Sequence, residues 1–143
     1  MYKFSKTKNR IKKNEGFKNK AYFDQIGNPT IGFGHLIKKS ENFLSNKKYS
    51  KKYLNAIFEK DFYNAKTDFY KYYGNKKLSK NTKDVLIEMI FQLGVKKLAK
   101  FKKFNKFLDK KMTYLAALEM INSRWYQQTP KRVTGLIKIL LGH

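Results

Sequence analysis

Two carboxylates nine positions apart, Glu15 and Asp24, are the residues of this sequence best placed to do acid/base chemistry. Glu15 stands immediately before Gly16, where a first helix is predicted to end, because glycine is favoured just past a helix terminus. A carboxyl there faces the negative end of the helix dipole, which raises its pKa. Asp24 follows Tyr22 by two residues on a predicted strand, so the two side chains share a face. On a short polar hairpin Asp24 is expected to stay ionised. Gly27-Asn28 supplies the predicted turn, and Pro29 sets the chain before a second arm from Thr30 to Gly34. One carboxyl held as an acid beside another kept as a base is the pairing that cleavage of a glycosidic bond requires.

These groups need elements to hold them. Residues 2–14 are predicted as a short helix with Phe4, Thr7, Lys8 and Ile11 on one side and Glu15 just past its end. The hairpin region ends near Ile37. From 38 to 52 the chain is rich in lysine and serine, as in a loop or a weakly helical connector. The longest helix is predicted over 50–73, where Leu54, Ile57, Phe58, Asp61, Phe62, Ala65, Phe69 and Tyr72 recur at spacings of three and four. Ser50 is its expected N-cap and Gly74 its stop.

Ser79 or Asn81 caps the next helix, which runs to Leu93 and is apolar on most sides from Val85 to Phe91, as a central buried helix is. Residues 96–109 give a basic amphipathic helix through Leu98, Phe101, Phe104, Phe107 and Leu108, better read as a core stripe than as a membrane-surface segment. Thr113 is expected to cap a helix through Ala116, Ala117, Met120 and Ile121. A turn of helix at 123–126 holds Trp125 as a buried anchor, and Thr129-Pro130 opens the last helix with Thr as N-cap and Pro at N1.

The string Glu15, then Tyr22-x-Asp24-x-x-Gly27-x-x-Thr30-Ile31-Gly32-x-Gly34-His35, resembles the active-site signature of the phage-type lysozymes, the T-even phage endolysin family. Phe91-Gln92-Leu93-Gly94 and the stretch from Ser123 to Val133 are similar to later parts of the same family, so the likeness spans residues 15–133. It implies an α+β, mostly helical lysozyme-like fold in one domain over 1–143. A small hairpin lobe (about 15–50) would be joined by the long helix (about 50–73) to a helical lobe (about 78–143, with the N-terminal helix), and a cleft would lie between the lobes.

The activity implied is that of a muramidase, which hydrolyses the β-1,4 bond between N-acetylmuramic acid and N-acetylglucosamine in peptidoglycan for bacterial lysis. Glu15 would be the general acid, while Asp24 and Thr30 would position and activate the attacking water, with inversion and a carboxyl separation of about 6.5–9.5 Å. Leu36, Phe91 and Gln92 match substrate-lining positions. Arg132 matches an arginine that orients the acid and opposes its pKa rise. His35 matches a structural histidine, with Asp61 as its expected acidic partner. Two contacts to the wall peptide do not carry over, because Phe104 and Glu119 stand where the family often has serine and asparagine.

Composition bounds the rest. With 41% hydrophobic and 16% aromatic residues the chain can bury a core. It has no cysteine, which excludes disulfides and thiolate metal sites. No His/Asp/Glu cluster has metal-ligand spacing, and neither metal nor cofactor is expected. His143 is read as incidental. No secretory leader and no membrane span are legible, so the resemblance implies a monomer accumulating in a host cytoplasm and reaching the wall after membrane breach.

The net charge of +23 draws the chain to polyanions, including envelope polymers. Arginine occurs only at Arg10, Arg124 and Arg132, and such a lysine excess is a poor instrument for base readout, so specific nucleic-acid binding is not expected. An AT-rich genome would produce the same excess. A nucleic-acid-binding domain and a cationic membrane-disrupting protein are the rival readings, and neither would depend on Glu15.

Overall fold

The computed structural model describes residues 4–142. The elements follow the order α1 (Ser5–Glu15), β1 (Lys18–Phe23), β2 (Pro29–Gly32), β3 (His35–Leu36), α2 (Lys51–Tyr73), α3 (Lys80–Leu93), α4 (Val95–Ala99), α5 (Lys102–Asp109), α6 (Thr113–Ile121), α7 (Arg124–Gln128) and α8 (Pro130–Leu140). This is the mostly helical α+β architecture expected from the sequence. The chain groups into two compact units, the first ending at Asn64 and the second beginning at Ala65, so α1 falls with the sheet and α2 continues through the boundary. His143 and the first residues of the predicted N-terminal helix lie outside the described residues.

In the first unit α1 buries Thr7 and Ile11 at helical spacing, and Phe4 just before it is buried as well. Lys12 clamps it onto α2. Its ammonium donates to Asn55 Oδ1 at 2.6 Å and lies over the rings of Phe33 and Phe58. The sheet is antiparallel, in the order β1-β2-β3. Local signals predict a hairpin of two arms, and the structure adds a third strand: β2 stops at Gly32, Phe33-Gly34 turn the chain, and Ile31 pairs with His35. A two-residue strand is too short for alternation to reveal it.

The hairpin turn also differs from the prediction. Asp24 lies one residue beyond β1, and the turn runs from Asp24 to Asn28, with Gly27 N–H donating to Asp24 O at 3.0 Å. Pro29 opens β2 as its first residue, a strand position proline tolerates.

The second unit packs α3 centrally: Val85, Leu86, Ile87, Glu88 and Met89 are completely buried. Ser79 Oγ caps α3 through Thr82 N–H, and Ser123 Oγ caps α7 through Tyr126 N–H. Two predicted caps differ. Thr113 is already helical with Met112 before it, and Thr129 Oγ1 donates back to Trp125 O instead of capping α8. The helix predicted over 96–109 is broken at residues 100–101 into α4 and α5. Asn105 holds the break, donating its amide to Leu98 O and Phe101 O at 2.9 Å each.

Candidate active site

Glu15 is the last residue of α1. Gly16 ends the helix with its N–H on Lys12 O at 2.9 Å, in a left-handed conformation (φ 72°) that glycine adopts without strain. The Glu15 side chain then lies against the turn between β2 and β3. A Cβ placed on Gly34 would sit 2.6 Å from Glu15 Oε1 and 2.7 Å from its carboxyl carbon. Gly34 also has φ +75°. Any side chain at 34 would therefore both strain the backbone and displace the carboxyl.

Asp24 organises the opposite turn. Its Oδ1 accepts from Ile26 N–H at 3.0 Å and from Asn28 N–H at 2.8 Å, while Oδ2 takes only a longer contact from the Asn28 amide at 3.3 Å. Oδ2 is thus the oxygen with more acceptor capacity left. Thr30 is buried in β2 and donates its hydroxyl proton to Asn28 O at 2.8 Å, which leaves Oγ1 as an acceptor.

Register brings further residues into line. Tyr22 is the cross-strand partner of Thr30, and Thr30 of Leu36, so the three stand in one row across the sheet and share a face. Leu36 is exposed at the end of that row. The Tyr22 phenol has its pKa raised, first by burial and then by the negative charges of Glu15 and Asp24. It lies in the field of both carboxylates. In the sequence Tyr22 and Gly34 stand in the motif without a task of their own; the predicted alternation of Tyr22 with Asp24 is the signal that points to the first of them, although Asp24 itself lies in the turn beyond β1.

Phe91, Gln92 and Arg132 belong to the second unit. Phe91 and Gln92 close α3, both partly exposed. Gln92 Oε1 accepts from the indole N–H of buried Trp125 at 2.9 Å, which confirms Trp125 as an anchor. Arg132 Nε donates to Glu88 Oε2 at 3.0 Å, and the Glu88 side chain is fully buried. The sequence offers no hint of that pairing, because Glu88 reads as one polar letter in an apolar helix. Phe104 is part of the core, so position 104 offers no hydroxyl for a peptide contact.

His35 is buried between two acids. Its Nδ1 lies 2.7 Å from Asp61 Oδ2, the expected partner, and its Nε2 lies 3.0 Å from both oxygens of Glu41, a partner the sequence does not suggest. The Asp61 hydrogen bond raises the His35 pKa most. Burial opposes it, and Glu41 adds to the rise. Among the described residues no group of three or more His, Cys, Asp or Glu side chains could hold a metal ion, and no helix is long and apolar enough to cross a membrane.

A family profile described as phage lysozyme matches residues 12–139, a span that contains every one of these side chains. This chain belongs to the phage lysozyme family. Among its relatives, "Probable T4-type lysozyme 2" of Dictyostelium discoideum is 35% identical across 94% of this chain and 93% of its own length. "Probable T4-type lysozyme 1" of the same organism is 31% identical across 95% and 94%. The "Pre-baseplate central spike protein Gp5" of Enterobacteria phage T4 is 28% identical across 92% of this chain, which corresponds to 27% of that longer protein.

Proposed function

We propose that this chain is a muramidase, cleaving the β-1,4 bond between N-acetylmuramic acid and N-acetylglucosamine in peptidoglycan. The observation that supports the reading most is that one phenol, Tyr22, feels the charges of both Glu15 and Asp24. That shared influence supports a reading in which the two carboxyls act on a common site, although one ends a helix and the other begins a turn.

In this reading the Glu15 carboxyl protonates the leaving glycosidic oxygen. Water approaches from the opposite side of the sugar and gives one proton to Asp24 Oδ2. Its other hydrogen is accepted by Thr30 Oγ1, whose own proton is already committed to Asn28 O. Both water hydrogens are then held and a lone pair is aimed at the anomeric carbon. Attack by water on the face opposite the leaving group inverts the centre, so a β-linked substrate yields an α-anomeric product. Leu36, Phe91 and Gln92 are proposed as glycan contacts. The role that the resemblance gives Arg132 is likewise proposed, with its Nε already held by Glu88. Release from a host cytoplasm onto the wall belongs to the same proposal.

The test is release of reducing ends from purified, peptide-intact peptidoglycan by the parent and by Glu15→Gln. Glutamine keeps size and hydrogen-bonding capacity but has no proton to donate, so the rate is expected to fall by about 10²–10⁴-fold. NMR of the first-formed product reads the anomer. A Glu15→Gln protein as active as the parent would sink the assignment. Killing by both proteins without sugar release would favour the cationic membrane reading instead.

A further inference from the structure

The helix α6 has an apolar outer face that the fold leaves open. Its inner face is ordinary: Ala116, Ala117 and Met120 are buried within the second unit. On the other side Tyr114, Leu115, Leu118 and Ile121 are 69%, 41%, 57% and 45% exposed, and Met112 just before the helix is 45% exposed. At 100° per residue those four helical positions fill one continuous sector of about 120°, turned away from the buried one. A helix apolar all round belongs in an interior, and here half of it faces outward. Scattered surface leucines need no explanation, but a contiguous face of this kind marks an interaction surface.

The surroundings decide what kind. The link into α6 carries exposed Lys110 and Lys111, and the neighbouring helix α5 carries exposed Lys102, Lys103 and Lys106. The face is an apolar ridge on α6, and the link and helix beside it carry five exposed lysines against the acids Asp109 and Glu119, on a molecule of charge +23. A second copy of the chain would bring equal charge against those lysines, so self-association is opposed electrostatically. A surface that is negative at its boundary, deformable, and apolar beneath answers both features. Lysine fringes are drawn to anionic headgroups, and the ridge enters the acyl boundary below them.

We propose that α6 docks this protein onto anionic phospholipid bilayers, with Tyr114, Leu115, Leu118 and Ile121 entering the interface. This is independent of the muramidase reading and uses none of the residues assigned to it.

The experiment is co-sedimentation of the full chain with vesicles of mixed phosphatidylglycerol and phosphatidylcholine, and with phosphatidylcholine alone, at physiological salt. It compares the parent with the double variant Leu115→Ser/Leu118→Ser. Both side chains are exposed and the charge is unchanged, so thermal unfolding and turnover of soluble glycan fragments are expected to match the parent. The parent is expected to bind the anionic vesicles, and the variant to bind them about tenfold or more weakly, since two side chains no longer leave water. Equal binding by the two proteins would show adhesion by charge alone and overturn the proposal. Binding to neutral vesicles as strong as to anionic ones would overturn it as well. So would a parent dimer in sedimentation velocity that the variant dissolves, because a second copy would then be the occupant.

Discussion

Gly34 shows how a residue without a side chain can decide the position of a carboxyl, here that of the proposed acid Glu15. Its Cα lies so close to Glu15 that alanine would collide with the carboxyl, while its positive φ adds backbone strain of about 1–2 kcal/mol for any other residue. Gly34→Ala is therefore expected to lower stability by that amount and kcat by about a hundredfold, because a shift on the order of 1 Å at a reacting group costs that much. Urea unfolding and reducing-end release measure the two separately. A fall in rate no larger than the loss of folded protein would reduce Gly34 to a backbone role.

Asp24 poses the converse question, since it holds a turn as well as a site. Asparagine keeps an oxygen to accept from Ile26 and Asn28, so Asp24→Asn is expected to cost less than about 1 kcal/mol in stability. The same change removes the proposed base and is expected to lower the rate by about 10²–10⁴-fold. Equal losses in fold and rate would make Asp24 a turn residue only. At this scale the spacing from Glu15 to His35 is legible because helix-end glycine, strand alternation and turn residues all leave local signals. Glu88 beside Arg132 is not, because a buried ion pair 44 positions apart leaves no such trace. Breaking such a pair strands a charge, at a cost of about 3–5 kcal/mol.

Elements are legible where their periodicity is long. Helices α2 and α3 can be read from apolar spacing and caps, whereas β3 is too short, and the break between α4 and α5 depends on one amide, that of Asn105. The segment from 38 to 50 is the instructive case. It has no regular structure, yet Phe43 packs against His35, Tyr49 and Tyr53, and Glu41 reaches the far side of the His35 ring. His35 thus joins β3 to α2 through Asp61 and to this loop through Glu41.

That junction depends on pH. The His35 pKa is raised above its ordinary 6.5, so the stability it contributes is fully present below about 6.5 and is lost as pH climbs through the folded value. Burial pushes the Glu41 carboxyl up, but the Lys38 N–H and His35 together bring it below 4.5; its contribution is present above that value and lost as pH falls through the folded one. The junction is therefore strongest between about 4.5 and 6.5. Asp61→Asn removes the largest support for charged His35. It is expected to destabilise the chain by about 1.5–3 kcal/mol near pH 5.5, and by progressively less at higher pH. Urea unfolding across pH, with His35 titrated by NMR, checks both. A penalty that does not depend on pH would show that Asp61 acts by packing alone.

For the whole molecule the governing quantity is the imbalance between 33 basic and 10 acidic side chains. The imbalance is plain in the composition, but its consequence is not, because charge constrains neither fold nor reaction. Two electrostatic effects compete in the folded chain. Surface pairs such as the half-buried Lys8 with Glu59 and the exposed Lys76 with Asp109 are weakened by salt, though each is worth only about 0–1 kcal/mol. Repulsion among the excess lysines is also weakened, and at 0.1 M salt charges more than about 10 Å apart hardly interact. With so few acids available, relief of repulsion outweighs the loss of attraction. The melting temperature is therefore expected to rise by about 3–5 °C between roughly 0.01 M and 0.15 M sodium chloride, equivalent to about 1 kcal/mol for a chain of this size. Sodium sulfate at matched ionic strength separates screening from anion binding. Equal shifts in the two salts mean general screening. A melting temperature that falls with salt would make the few ion pairs dominant, in which case the lysine excess is arranged to avoid repelling itself.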